Sequence, residues 1–103
     1  MSEKKKPILP TPADTEKCVQ IFKAFGNETR YKILYLLSEQ GLAVNDIVEA
    51  IGISQSAVSH QLKLLRQTGL VISKRDGQRV LYYLADQHVM MIFEAVKEHI
   101  NED

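Results

Sequence analysis

Asp46-Ile47-Val48-Glu49-Ala50-Ile51-Gly52-Ile53-Ser54-Gln55-Ser56-Ala57-Val58-Ser59-His60-Gln61-Leu62-Lys63-Leu64-Leu65 joins two short amphipathic segments at a single glycine. Gly52 is the residue type that ends a helix in a left-handed turn, and Ser54 is a preferred N-cap for the next one. Beyond that cap, Val58, Leu62 and Leu65 recur at helical spacing, while Ser56, Ser59, His60 and Lys63 fall on roughly the opposite side. With Ile53 and Val58 buried at the junction, this is the layout of a helix-turn-helix. Val48 is a small departure, because alanine is commoner where the two helices cross.

Working outward, the second of these helices reaches about Thr68, with Gly69 as its stop. Leu70 to Arg75 and Arg79 to Leu84 are rich in β-branched and aromatic residues and flank Asp76-Gly77-Gln78, a hairpin signal. A last amphipathic helix follows from Ala85. On the N-terminal side, Val44 to Ile51 forms the short third helix. Before it, a second helix buries Ile33, Leu34, Leu36 and Leu37 and ends at Gly41, and a first runs from Ala13 to Phe25. Gly26-Asn27 separates those two, with Glu28 in the first turn of the second. Four helices, a hairpin and a helix predict a mainly α (α+β) fold, a winged helix-turn-helix with a two-stranded hairpin wing. This domain spans residues 13–103, behind a disordered basic and Pro-rich leader at residues 1–12.

A chain of 103 residues with 45% hydrophobic content is bounded to one small domain, whose modest core would gain from dimerisation. Met1 to Pro10 lacks the apolar run of a signal peptide, and no stretch approaches ~18 consecutive apolar residues, so a cytoplasmic protein with no membrane partner is expected. The single cysteine, Cys18, excludes an intrachain disulfide. Its register with Ile21, Phe22 and Phe25 predicts a packed apolar thiol.

Charge is balanced overall but not locally. Ser54 to Tyr83 carries five basic residues (Lys63, Arg66, Lys74, Arg75, Arg79) against the one acidic Asp76, whereas Asp86 to Asp103 carries five acidic residues against Lys97 alone. A basic working face and an acidic end follow, with Lys4, Lys5 and Lys6 as a further basic tail. A helix fits the major groove of double-stranded DNA, where amide, hydroxyl and imidazole groups reach base edges. Gln55, Ser56, Ser59 and His60 are the residues expected there, with Gln55 suited to bidentate pairing with adenine. Lys63 and Arg66 would meet phosphates, and Arg75, Gln78 and Arg79 around the hairpin tip would lie against the backbone or the minor groove. The competing reading, a protein-interaction module, predicts no salt-dependent DNA affinity.

The last helix carries two pairs of metal-capable side chains, Asp86 with His88 and His99 with Glu102. At ~1.5 Å per residue, His88 and His99 stand about 16 Å apart, whereas zinc ligands sit ~2 Å from one ion, so one chain cannot close the site. At about 100° per residue His99 returns to within roughly 20° of His88, and Glu102 stays on that face. Asp86 fits the N-cap. Two copies packed antiparallel would bring Asp86 and His88 of one beside His99 and Glu102 of the other. Val89, Ile92, Phe93, Val96 and Ile100 form an adjoining apolar stripe suited to a partner. The bland alternative is that these pairs are ordinary solvated surface groups.

These residues together resemble the ArsR/SmtB family of metal-responsive repressors from about Val19 to Glu102. Phe22-Lys23-Ala24-Phe25-Gly26-Asn27-Glu28-Thr29-Arg30 is similar to the family's entry into its second helix, and Ser54-Gln55-Ser56-Ala57-Val58-Ser59-His60-Gln61-Leu62-Lys63 to its recognition helix. The C-terminal pairs resemble the family's intersubunit site. Where other members have Glu-Leu-Cys-Val-Cys-Asp, this chain has Gly41-Leu42-Ala43-Val44-Asn45-Asp46, which removes both thiolates of a soft-metal site. The resemblance implies a homodimer through the first and last helices that binds an inverted-repeat operator. It also implies a repressor of metal efflux or sequestration genes, weakened on DNA by zinc at Asp86, His88, His99 and Glu102, with cobalt as a surrogate. The alternative is a repressor of the same family that answers another inducer or no metal. An enzyme is not expected, since four protein ligands would leave no open position for water or a small-molecule substrate.

Overall fold

The computed structural model describes residues 5–102, and expectations for residues 1–4 and Asp103 lie outside them. The element order is α1 (Pro12–Phe25), α2 (Glu28–Glu39), α3 (Val44–Ile51), α4 (Gln55–Gln67), β1 (Val71–Asp76), β2 (Arg79–Leu84) and α5 (Gln87–Ile100). Local chemistry sets most boundaries. Thr11 Oγ1 accepts the Asp14 N–H at 3.1 Å and Pro12 occupies the first turn, so α1 starts one residue before the expected Ala13. Asn27 Oδ1 caps α2 through the Arg30 N–H at 3.0 Å, and Ser54 Oγ caps α4 through the Ala57 N–H at 3.1 Å. Gly52, at φ 82°, lets the chain reverse between α3 and α4, a conformation that costs any other residue.

α2 is the hub, packed against α1, α3, α4, α5 and β2. Ile33, Leu34 and Leu37 supply its buried face, and Ala24, Ile47, Val58, Leu62, Leu65, Leu70, Val71, Val89 and Phe93 complete the core. Phe93 stacks against Phe25 and Tyr31 with ring centroids 5.3 and 5.6 Å apart, joining α5 to the first two helices. No helix among the described residues is long and apolar enough to cross a membrane.

β1 and β2 pair antiparallel from Val71 with Leu84 to Asp76 with Arg79, leaving a two-residue turn of Gly77 and Gln78 instead of the expected three. Gly77 sits at φ 67°, which is what a hairpin turn with glycine first requires. Leu70 leaves the strand to enter the core, its N–H closing α4 onto the Leu65 carbonyl at 3.0 Å. At the other end, Leu42 forms a bridge to Tyr82 with bonds of 3.0 and 2.7 Å, and the Ala85 N–H reaches the Leu70 carbonyl at 2.9 Å.

Two expectations are corrected. α2 ends at Glu39 with Gln40 extended, so Gly41 is not its stop. Gly41 instead makes room for the Tyr83 ring, which a Cβ there would overlap. Cys18 is exposed, not packed. Residues 12–20 of α1 are exposed all round, Phe22 remains 73% exposed, and only Ile21, Ala24 and Phe25 turn toward the core. The periodicity marks an apolar face correctly, but among the described residues nothing covers its Val19 and Phe22.

Candidate nucleic-acid interface and the C-terminal side-chain pairs

α4 divides cleanly into two faces. Val58, Leu62 and Leu65 are buried, and Gln55, Ser56, Ser59, His60, Lys63 and Arg66 are all exposed. The apolar side is consumed by the core, so the polar side is held rigidly toward solvent. Ser56 is the least free of this group, its Oγ lying 3.3 Å from the Ser54 capping oxygen. Arg75 and Gln78 stand exposed at the wing tip.

Arg79 behaves differently. Its Nη2 donates to Asp46 Oδ2 at 3.3 Å, and the same oxygen accepts the Ala43 N–H at 2.9 Å. Both side chains remain substantially exposed, so the pair is weak as a source of stability. It does tie the wing to the first turn of α3. Sequence reading passed over Asp46 in this role, although an acidic side chain at the third helical position is a capping signal. It also passed over Arg30 and Gln61, which meet at 3.3 Å although 31 residues apart.

At the ends of α5, the side chains of each C-terminal pair lie near one another. Asp86 caps α5, with Oδ1 accepting the N–H groups of His88 at 2.9 Å and Val89 at 3.2 Å. His88 Nδ1 lies 3.6 Å from that oxygen, and His99 Nδ1 lies 3.9 Å from Glu102 Oε2. Two donors on a tetrahedral zinc ion, with bonds of about 2.0–2.1 Å, are separated by roughly 3.3 Å, so either pair needs only a small adjustment to share a metal. The side chains of His88 and His99 are 90% and 84% exposed, open to an incoming ion or subunit. Among the described residues, no group of three or more His, Cys, Asp or Glu side chains is gathered in one place. The structure joins the residues of each pair and keeps the pairs at opposite ends of α5.

Comparison with known proteins bears on the fold and on its family. Residues 27–73, from the α2 cap into β1, match the bacterial regulatory proteins of the arsR family. The chain is 40% identical to the HTH-type transcriptional regulator NmtR of Mycobacterium tuberculosis, over 85% of this chain and 76% of that protein. It is 39% identical to the transcriptional repressor SmtB homolog of Synechocystis sp., over 84% of this chain but 66% of that protein's length. In structure it superposes with a TM-score of 0.81 on the homodimeric winged helix-turn-helix DNA-binding domain of Mb0332 from Mycobacterium bovis. That match has 32% identity and covers 87% of this chain and 83% of the other. These are transcriptional regulators and not enzymes. With its five helices, hairpin wing and exposed polar α4, this chain belongs to the ArsR/SmtB family of winged helix-turn-helix, DNA-binding transcriptional regulators.

Proposed function

We propose that the protein is a homodimeric repressor whose operator affinity is lowered by zinc bound between subunits. The observation that carries this reading is the division of the metal-capable residues into two exposed pairs at opposite ends of α5, neither of them a complete site. Asp86 and His88 of one protomer would complete a four-ligand shell with His99 and Glu102 of the other. Two imidazoles and two carboxylates suit zinc, and cobalt would substitute in the same geometry. The open apolar faces support the dimer. Val19 and Phe22 on α1, with Val96 and Ile100 on α5, are exposed among the described residues.

On DNA, α4 would enter the major groove, with Gln55, Ser56, Ser59 and His60 at base edges and Lys63 and Arg66 at phosphates. The wing residues Arg75, Gln78 and Arg79 would track the backbone. Two such helices related by a dimer axis call for an inverted repeat with half-sites about 34 Å apart. Zinc, when bound, would fix one relation between the subunits. The residues' own part is to hold the two α5 helices in that relation and thereby the two α4 helices. Repressor and inducer then oppose each other by a coupling of ~1–3 kcal/mol, and DNA must weaken zinc binding by the same factor. Imidazoles must shed their protons to ligate, so zinc affinity falls on acidification. Metal efflux or sequestration genes are the fitting targets.

Fluorescence anisotropy on the inverted repeat upstream of the protein's own gene tests this, with zinc added and then removed by chelator. Binding that zinc weakens and chelator restores is the expected result, lost in His99→Ala. Tight binding indifferent to zinc would refute the metal switch and leave a repressor that answers another inducer.

A further inference from the structure

α1 and α4 are separated by a groove of about 300 Å³ lined by Gln20, Lys23, Leu64 and Gln67. One side chain spans its inner end. Arg30, in the first turn of α2, donates through Nε to the Ala24 carbonyl at 3.4 Å and through Nη2 to the Lys23 carbonyl at 3.3 Å. Its Nη1 donates to Gln61 Oε1 on α4, also at 3.3 Å. The two carbonyls belong to the last turn of α1, where helical partners run out, so they are natural acceptors for a cation. Gln61 is half-buried, one residue after His60 and two before Lys63, both exposed on the polar face of α4. Arg30 itself is fixed at its root, because its N–H is the one held by Asn27.

We propose that Arg30 is a positioning residue that passes the setting of α1 to α4 and so tunes operator affinity. The inference rests on the reading above, in which α1 belongs to the dimer interface and α4 reads DNA. A guanidinium is planar and permanently charged, so it presents its donors at fixed angles. A shift of α1 against α2 therefore has to break one of the three bonds or carry Gln61 with it. α1 packs chiefly on α2, and Arg30 carries a direct bond from there across to α4. Lysine would keep the charge but could not reach three separated acceptors along one plane.

The test is operator binding across a salt series for the wild type, Arg30→Lys, Gln61→Ala and the double variant, each with and without zinc. Each single substitution is expected to weaken metal-free binding roughly tenfold, as loss of one charge-assisted hydrogen bond allows. The double variant should bind no worse than the weaker single one, because both break the same link. The slope of log affinity against log salt should stay that of the wild type, since no phosphate contact is removed. The zinc effect should shrink in all three. Additive losses would make Gln61 a direct DNA contact and overturn the proposal. Unchanged affinity would reduce Arg30 to a brace and overturn it equally. If Arg30→Lys does not fold, Gln61→Ala decides alone, because it removes a single bond at a half-exposed side chain. A wild type that fails to bind the operator defeats the reading of α4 and the inference together. A wild type that binds while the variants match it defeats the inference only. If the wild type binds but ignores zinc, affinity and slope still decide.

Discussion

α4 and α5 are nearly equal in length, 13 and 14 residues, and both are amphipathic, yet they stand at different stages of completion. In α4 the apolar stripe is spent entirely inside the chain, with Val58, Leu62 and Leu65 at 0, 1 and 0% exposure. In α5 the stripe is spent only in its first half. Val89 and Phe93 are buried, but Val96 and Ile100 remain 47% and 69% exposed. The contrast teaches how one small fold divides its labour. A helix whose apolar side is satisfied can offer a rigid polar face to DNA. One whose apolar side runs out of core offers a surface that a second copy would finish.

The largest test of that contrast compares truncations on the two helices. Leu62→Ala should cost about 2–5 kcal/mol in urea unfolding, the usual penalty for emptying a full core position. Ile100→Ala should cost roughly 0.5 kcal/mol or less at low protein concentration, as surface changes do, and more as concentration rises and dimer forms. Equal costs in dilute solution would mean that α5 is as finished as α4. A middle-sized effect is expected at the α5 cap. Asp86→Ala should lose about 1 kcal/mol of thermal stability with its two backbone bonds, whereas Asp86→Asn should keep the cap and lose mainly zinc affinity. If both variants melt alike, the carboxylate charge and not the cap steadies the helix. The smallest difference lies in surface charge. Lys63→Ala on α4 should flatten the salt dependence of operator binding by roughly one unit of slope, and Glu98→Ala on α5 should leave it unchanged. A comparable change from Glu98→Ala would place α5 against the DNA as well.

Most of the element order was legible because its punctuation is local. Gly52, Ser54, Asn27 and Asp86 announce helix ends by their own chemistry, and α3 runs from Val44 to Ile51 as the sequence indicates. Features that depend on distant pairings were not. The bridge between Leu42 and Tyr82 and the Arg30 contact with Gln61 join residues 40 and 31 positions apart, and no window along the chain contains either. Gly41 illustrates the difference. Its type was noticed and its reason mistaken, because the space it leaves is filled by Tyr83 from another element. Cys18 failed for a related cause, since helical spacing identifies a face without naming what covers it. At the candidate site, the capping role of Asp86 on α5 was legible from its residue type and position. The hold of Asp46 on Arg79 depended on where the wing tip comes to rest.

The hairpin is sewn to the domain at its base, by the Leu42–Tyr82 bridge and the Ala85 to Leu70 bond, and nearer its tip Arg79 bonds to Asp46 of α3. The backbone bonds that anchor the strands and the approach to α5 therefore lie at or below the Ser73–Tyr82 pair. Strand pairs could be added or removed at Gly77 in twos, preserving which side chains face which way, without disturbing the stitching beneath. Wing length is in this sense independent, adjustable by insertion while the helices beneath it stay in place.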